Sequence, residues 1–271
     1  MGKIHIGTSG FSYEDWSGTF YPPSLKATHR LEYYAQKFDT VELNSSFYQL
    51  PALPSLYGML NKVPEHFEFF VKAHRDLTHV RKNARQTLPR FSEMLKAYQR
   101  EQKLAGVLFQ FPANFECSDA HEDYLRRLIE SLGGIRTVVE FRHSQWVTEH
   151  TMELLRNLNA GYCIVDMPQV RNLPSRRIET TCDLAYVRFH GLNAPKWEGK
   201  ASRDERYDYD YSEDELKDWV PVIADLSKGV KDTYVYFNNH YQGKAPRNAN
   251  TLAGLLASYQ TGSDVQRLPM G

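Results

Sequence analysis

The sequence predicts one α/β domain closed into an eight-stranded (β/α) barrel. Three observations predict it. Short apolar runs rich in β-branched and aromatic residues recur eight times. Segments of helical spacing separate them. The chain is 271 residues long, which suits one large α/β barrel of about 250 residues or two small domains, and nothing in it suggests a second domain. Strict β-then-α alternation implies a parallel sheet. Eight repeats in this length favour closure over an open doubly wound sheet, the alternative architecture.

The apolar runs fall at 3–8, 38–44, 67–73, 104–110, 136–141, 162–166, 184–190 and 233–238. Between them, Leu31, Tyr34, Ala35 and Phe38 follow the i, i+3, i+4, i+7 template of an amphipathic helix. So do Tyr124, Leu125, Leu128, Ile129 and Leu132, then Leu216, Trp219, Val220 and Ile223, and finally Ala249, Leu252, Ala253, Leu256 and Ala257. Ser212-x-x-Glu215 reads as a capping box. Gly133-Gly134 and Gly161 sit where helices should stop before the next strand. One domain is expected over 1–271, with irregular rim loops and a C-terminal tail from about residue 260. The longest irregular stretch, 191–211, holds Trp197, Lys200, Arg203, Arg206 and three tyrosines, and its length suits a lid or a loop packed on the rim.

Basic and acidic residues balance at 33 each, so the net charge encodes no general attraction to nucleic acid or to an acidic membrane. Cys117, Cys163 and Cys182 are far apart and form no C-x-x-C pair, which argues against a zinc knuckle or a disulfide framework. Reduced thiols, the lack of a signal-peptide run and the lack of any apolar stretch near the roughly 20 residues of a membrane span lead to a cytoplasmic expectation. Gly2 invites a myristoylation reading, but Ile6 stands where Ser or Thr is needed.

Side chains alternate faces along a strand, and strands buried on both faces should be nearly all apolar. Polar residues repeated on one face therefore need a reason. Glu42 and Asn44 oppose Val41 and Leu43; Lys72 and His74 oppose Val71 and Ala73; Gln110 opposes Phe109. Glu140 and Arg142 oppose Val139 and Phe141; Asp166 opposes Val165; Arg188 and His190 oppose Val187 and Phe189; Tyr236 and Asn238 oppose Val235 and Phe237. All fall near strand C-termini. The expectation is that they converge in the barrel mouth, where barrel enzymes keep their chemistry.

Three acids (Glu42, Glu140, Asp166) and three bases (Lys72, Arg142, Arg188) then share one cavity. Such charges coexist only when paired, because an isolated buried charge costs several kcal/mol, on the order of a whole domain's stability. A satisfied ion-pair plug is the bland reading. The functional reading makes Glu42, Lys72, Glu140, Asp166 and His190 the catalytic candidates, for acid–base work on an anionic substrate. Ser9, Asn44, His74, Gln110, Arg142, Arg188, Tyr236 and Asn238 are the substrate-binding candidates. Lys244 and Arg247 join them as phosphate contacts, since Lys244-Ala245-Pro246-Arg247-Asn248 opens the last helix. Glu42, Glu140, Asp166, His74 and His190 are ligand types for Mg²⁺, Mn²⁺ or Zn²⁺, which leaves a divalent metal open. The interleaved Lys72, Arg142 and Arg188 would repel a cation. Gly7-Thr8-Ser9-Gly10 is no dinucleotide fingerprint and no nucleophile elbow, though it could bring backbone N–H groups to a ligand. Phe11, Tyr13, Trp16, Phe47, Tyr48, Trp146, Trp197 and Tyr241 supply rim aromatics suited to stacking on a base or sugar, or to capping the barrel.

Several of these runs carry a family resemblance. They are Gly7-Thr8-Ser9-Gly10-Phe11 with Trp16 and Tyr21-Pro22, and Phe38-x-Thr40-Val41-Glu42-x-Asn44-x-x-Phe47-Tyr48 with Pro51. They continue with Phe69-x-x-Lys72, Thr78-His79, Gln110-Phe111-Pro112, Glu140-Phe141-Arg142 with Trp146, Tyr186-x-Arg188-x-His190-Gly191, and Phe237-Asn238-Asn239 leading to Ala245 and Asn248-Ala249. With these the chain resembles the YecE-like proteins, domain of unknown function 72, over essentially its whole length. The resemblance implies a TIM-like barrel and no established reaction. The leading expectation is an enzyme, hydrolase- or isomerase-like, acting on a nucleotide, nucleic acid or sugar phosphate. The alternatives are a non-catalytic module binding nucleic acid or a phosphorylated metabolite, and a metal-dependent sugar isomerase.

Overall fold

In the computed structural model, which describes residues 1–198 and 203–265, the apolar runs become parallel strands. They are β1 (Lys3–Thr8), β2 (Thr40–Leu43), β3 (Glu68–Lys72), β4 (Leu104–Gln110), β5 (Thr137–Glu140), β6 (Gly161–Asp166), β7 (Leu184–Phe189) and β8 (Asp232–Phe237). They pair in the order β1-β8-β7-β6-β5-β4-β3-β2. β1 and β2 complete the ring at one point: Ser9 bridges Glu42, and the Gly10 N–H donates to the Glu42 carbonyl at 2.7 Å. A Cβ on Gly7 would sit 2.4 Å from the Thr40 carbonyl oxygen, so the close approach that shuts the barrel needs a bare backbone there. The result is a TIM-like (β/α)8 barrel.

The helices are α1 (Arg30–Tyr34), α2 (Leu53–Leu60), α3 (Arg75–Thr78), α4 (Ala84–Arg100), α5 (Asp119–Glu130), α6 (Glu149–Asn157), α7 (Ala194–Glu198), α8 (Arg203–Arg206), α9 (Glu213–Gly229) and α10 (Lys244–Val265). α9 starts at the expected capping box, with both reciprocal bonds formed. Gly133 and Gly134 take positive φ after α5. Gly161 does not end a helix: the left-handed residue after α6 is Asn159, and Gly161 opens β6. α10 runs through 265, so the expected tail is helical to that point, and residues 266–271 lie outside the described residues. The alternation also lapses once, because no helix lies between β6 and β7. Arg177 and Glu179 of that connection pair instead with Glu149 and Arg156 on α6.

Inside the barrel, Phe70, Leu108, Val138, Cys163, Tyr186, Tyr234 and Tyr236 form one packed cluster. His5 stacks on Tyr234 beneath it, with ring centroids 4.5 Å apart. The alternate residues Val41, Val71, Val107, Val139, Val187 and Val235 belong to the outer core against the helices. Six of the seven strands read for parity therefore point as expected. β6 is the exception. Cys163 and Val165 face inward, and Ile164 belongs to the outer core. Asp166 shares its face, where it ion-pairs with Arg176, whose guanidinium lies 5.0 Å from the Trp219 ring of α9. Asp166 is thus removed from the mouth. A small inward face on β6 leaves room for its neighbours' charges; outside the barrel Arg176 holds Asp166 Oδ1, while Oδ2 is buried without a hydrogen-bond partner among the described residues and burial raises the carboxyl above its ordinary value.

Candidate functional site

The polar layer lies above the aromatic cluster and is built around Arg188 of β7. Its Nη2 reaches Glu42 Oε1 at 2.7 Å and Ser9 Oγ at 3.3 Å, while its Nη1 holds Glu140 Oε2. The Tyr186 hydroxyl, two residues down the same face, donates to Glu42 Oε2 at 2.7 Å. Arg142 Nε holds the other Glu140 oxygen. His190 lies 3.3 Å from that oxygen through Nε2, and Asn238 approaches its Nδ1 at 3.1 Å. Glu42, Glu140, Arg188 and His190 are all at most 1 % exposed.

This geometry dictates the protonation states. Burial alone would raise Glu140, but Arg142, Arg188 and His190 hold it well below the usual carboxylate range. Burial, then Arg142, pushes His190 down to about 3, so it is a neutral imidazole. A neutral ring with Nε2–H donating to Glu140 and Nδ1 accepting from Asn238 fits these two contacts, and the Arg142 Nη2 also lies 3.2 Å from that Nε2. Burial, then Glu140, raises the Cys163 thiol well above its ordinary value, and it stays protonated beneath the pair.

With Asp166 outside, the inward charges are two acids against three bases. Arg188 and Arg142 match Glu42 and Glu140, and Lys72 is left over. Its side chain is 5 % exposed and lies 4.6 Å from the Phe47 ring centre. Among the described residues no carboxylate lies within salt-bridge distance of Nζ and no hydrogen bond reaches it. The amine faces a cavity of about 430 Å³ at the mouth, shared with Asn44, Tyr48, Tyr207 and Asn238. The Asn44 Oδ1 is likewise buried without a partner. Burial, then Arg188, pushes Lys72 down to about 7. His79, edge-on to Phe47 at 4.8 Å, is lowered to about 4 by burial and then by Lys72.

A second cavity of about 630 Å³ opens beside the first, lined by Arg142, Arg171, Asn172, Trp197 and Arg206, with no carboxylate in its wall among the described residues. The Arg206 Nε and the Trp197 Nε1 are buried donors without a hydrogen-bond partner among the described residues. The Arg142 guanidinium lies 5.3 Å from the Trp197 ring. Trp197 meets Tyr207 edge-on at 5.9 Å, so these two residues of the 191–211 stretch stand between the cavities. Lys200 of that stretch lies outside the described residues.

The structure brings together Ser9, Asn44, Lys72, Glu140, Arg142, Arg188, His190, Asn238 and Glu42. Gln110 is buried on the same inward face of β4 and donates to the Phe111 carbonyl at 2.9 Å. Other candidates go elsewhere. Tyr236 lies in the aromatic cluster below, its hydroxyl 2.6 Å from Thr40 Oγ1, and does not reach the mouth. His74 caps α3, accepting from the Asp76 N–H at 3.2 Å, because the strand ends before it. Lys244 pairs with Asp208 and Arg247 with Asp210, so both pin the loop before α9. The N–H groups of Thr8, Ser9 and Gly10 are spent on Tyr34, Phe237 and Glu42 and offer no anion nest. Parity missed His79, Arg171 and Arg206, since all three sit on connections with no period-2 pattern. The Thr78-His79 pair inside the family motif was the one available signal for His79.

Donor chemistry decides whether a metal fits. Among the described residues no three His, Cys, Asp or Glu groups are grouped to hold an ion. Glu42 and Glu140 point at the Arg188 guanidinium instead, and Asp166 and His74 lie elsewhere. These residues do not fit a metal.

Fold and site together define a TIM-like barrel whose mouth is braced by buried arginine–carboxylate pairs. The family described as protein of unknown function DUF72 matches residues 5–270, and the chain belongs to it. The UPF0759 protein YunF of Bacillus subtilis (strain 168) is 32% identical over 269 residues, covering 93% of this chain and 94% of YunF. A solved DUF72 family protein of Thermotoga maritima MSB8 is 41% identical, with a TM-score of 0.88, over 94% of this chain and 99% of that one. A solved DUF72 family protein of Enterococcus faecalis V583 shares the fold at 24% identity and a TM-score of 0.84, over 94% of this chain and 95% of that one. Among the described residues no helix is long and apolar enough to cross a membrane.

Proposed function

We propose that the protein is an enzyme acting on a phosphate-bearing small molecule, with its anionic group in the arginine cavity and its reacting part over Lys72. The observation that carries this reading is the wall of the second cavity: among the described residues it holds three arginines, two buried N–H donors without a hydrogen-bond partner and no acid. Guanidinium groups keep their charge at any working pH and match phosphate oxygens in pairs. Lys72 supports a catalytic rather than a purely binding role, because a lone amine held near neutrality can give or take a proton at working pH. Glu42 and Glu140 serve as framework: both oxygens of each are engaged by arginine, tyrosine or histidine.

The test is thermal denaturation and calorimetry with orthophosphate, sugar phosphates, nucleotides and short oligonucleotides. A phosphate ester should raise the melting temperature, by an increment set by its concentration over Kd. Arg171→Ala and Arg206→Ala should each weaken that ester at least tenfold. A flat response across the panel would sink the phosphate reading. A second reading, a non-catalytic binding module, draws on the fully engaged carboxylates. It predicts that Lys72→Met retains the ligand and that no turnover is found in either protein.

A further inference from the structure

We propose that Lys72 is a covalent nucleophile whose Nζ condenses with an aldehyde or ketone carbonyl of the substrate to form an imine on the floor of the mouth cavity. The inference rests on the enzymatic reading above and narrows its substrate to a carbonyl compound. The geometry comes first. Lys72 ends a strand held on both sides, by β2 and by β4. Its own carbonyl receives the Ser46 hydroxyl at 2.7 Å. The amine is thus delivered from a rigid base into the cavity, nearly all of its stem buried and its nitrogen over the Phe47 ring face with no hydrogen-bond or ion-pair partner among the described residues.

Its surroundings remove the usual duties of a buried lysine. It is no structural ion-pair partner, because Arg188 and Arg142 already take both carboxylates. It is a poor phosphate clamp, because a lysine near its titration point is only part-charged, whereas the neighbouring arginines are always charged. Desolvation and adjacent cations are the conditions that turn a lysine amine into a nucleophile. An ordinary lysine, at 10.5, has roughly one amine in three thousand unprotonated at neutrality. Lys72, at about 7, has near half. The competing nucleophiles are out of reach: Cys163 is buried beneath Glu140 and kept as a thiol, and the Tyr186 and Tyr236 hydroxyls are committed below.

The step balances without a redox partner. The nitrogen lone pair forms the C–N bond, and the carbonyl π pair moves to oxygen, which takes the proton shed by nitrogen. The carbinolamine then loses hydroxide as water with one further proton from solvent, and the nitrogen lone pair closes the C=N bond. Overall one ammonium and one carbonyl give one protonated imine and one water. The unpartnered Asn44 Oδ1 is an acceptor for the carbinolamine hydroxyl or a neighbouring substrate hydroxyl.

The test is reductive trapping on the full chain at neutral pH. Three probes are used separately: glyceraldehyde 3-phosphate, glyceraldehyde, and glycolaldehyde, which is small enough to enter whatever the natural substrate's shape. Sodium borohydride follows, then intact mass and peptide mapping. The expected result is a single dominant adduct at Lys72, with a labelling midpoint near pH 7, and no such adduct in Lys72→Met or Lys72→Arg. Labelling spread over the exposed lysines, with Lys72 spared by all three probes in the native chain, overturns the proposal whether or not the variants fold. Lys72 labelled equally by glyceraldehyde and its phosphate ester keeps the imine and defeats the phosphate reading. Phosphate-ester binding with Lys72 spared keeps the phosphate reading and defeats the imine.

Discussion

Arg188 lies 2.7 Å from Glu42 through Nη2, and its other terminal nitrogen holds Glu140. One guanidinium thus bridges two carboxylates that are wholly buried, and Arg142 supplies the second positive charge. Such a network need not stabilise the fold relative to an apolar core, but losing Arg188 strands Glu42 in a low dielectric and leaves Glu140 to Arg142. Arg188→Met should lower the free energy of unfolding by about 3–5 kcal/mol in urea titrations at neutral pH. A loss under about 1 kcal/mol would mean that water already reaches the pair.

Glu140 gives that network a pH signature. Its folded value lies well below the ordinary 4.5, held there by Arg142, Arg188 and His190 against burial. A depressed carboxylate contributes stability that is present above its unfolded value and is lost as pH falls through its folded value. The stability gap between the native chain and Glu140→Gln should therefore be full at neutral pH and shrink only below about pH 4.5. Denaturant midpoints from pH 7 downward measure it. A gap that is constant in acid would show that Glu140 is not ionised in the fold.

Lys72 shifts in the same direction, but as a cost rather than a gain. Its folded value, about 7, lies below the ordinary 10.5, so between the two the unfolded chain binds the extra proton. Burying Lys72 costs stability in full below pH 7, and the cost fades as pH rises toward 10.5. Lys72→Met should thus be more stable than the native chain at neutral pH, by an amount on the order of a few kcal/mol. The advantage should vanish at high pH. Equal stability at both ends of the range would place the ammonium in water.

Most of this site was legible in the sequence because β-strand alternation is rigid: once Val41, Val71, Val139, Val187 and Val235 face the helices, Glu42, Lys72, Glu140, Arg188 and Tyr236 must face the axis. Alternation does not say how far up the axis a side chain sits, so Tyr236 reads like a mouth residue although it fills the layer below. It also fails where both faces look alike. In β6, Ile164 and Asp166 against Cys163 and Val165 offer no clear apolar side, and the helix that would mark the outer face is missing from the next connection. Arg171, Arg206 and His79 lie on connections, where position follows from tertiary packing and not from period.

Asp166 is the residue on which parity and structure part, and a substitution separates them. It contacts Arg176 and Tyr211 beneath α9 and nothing in either cavity. Asp166→Asn keeps an acceptor for those donors and should cost about 1–3 kcal/mol of stability. Affinity for any phosphate ester found by the panel should change less than twofold. A tenfold loss of affinity with unchanged stability would return Asp166 to the mouth.

Lys244 and Arg247 are expected to act on the loop rather than on the ligand. Each meets an aspartate of the segment before α9, Asp208 and Asp210. Asn248 reinforces the same segment, donating to the Tyr211 carbonyl at 3.0 Å and accepting from the Tyr211 N–H at 3.2 Å. The segment carries Tyr207 at the wall of the mouth cavity, so holding it holds one side of the partition. Exposed pairs of this kind contribute about 0–1 kcal/mol, so Lys244→Met with Arg247→Met should barely move the global unfolding midpoint. Amide exchange in 207–211 should nevertheless speed up, because local opening is governed by the contacts of that segment and not by the whole fold. If instead the double variant leaves exchange unchanged and abolishes phosphate-ester binding, the two cations belong to the ligand and the loop is held by Asn248 and by Asn239, which donates to the Tyr209 carbonyl at 2.8 Å.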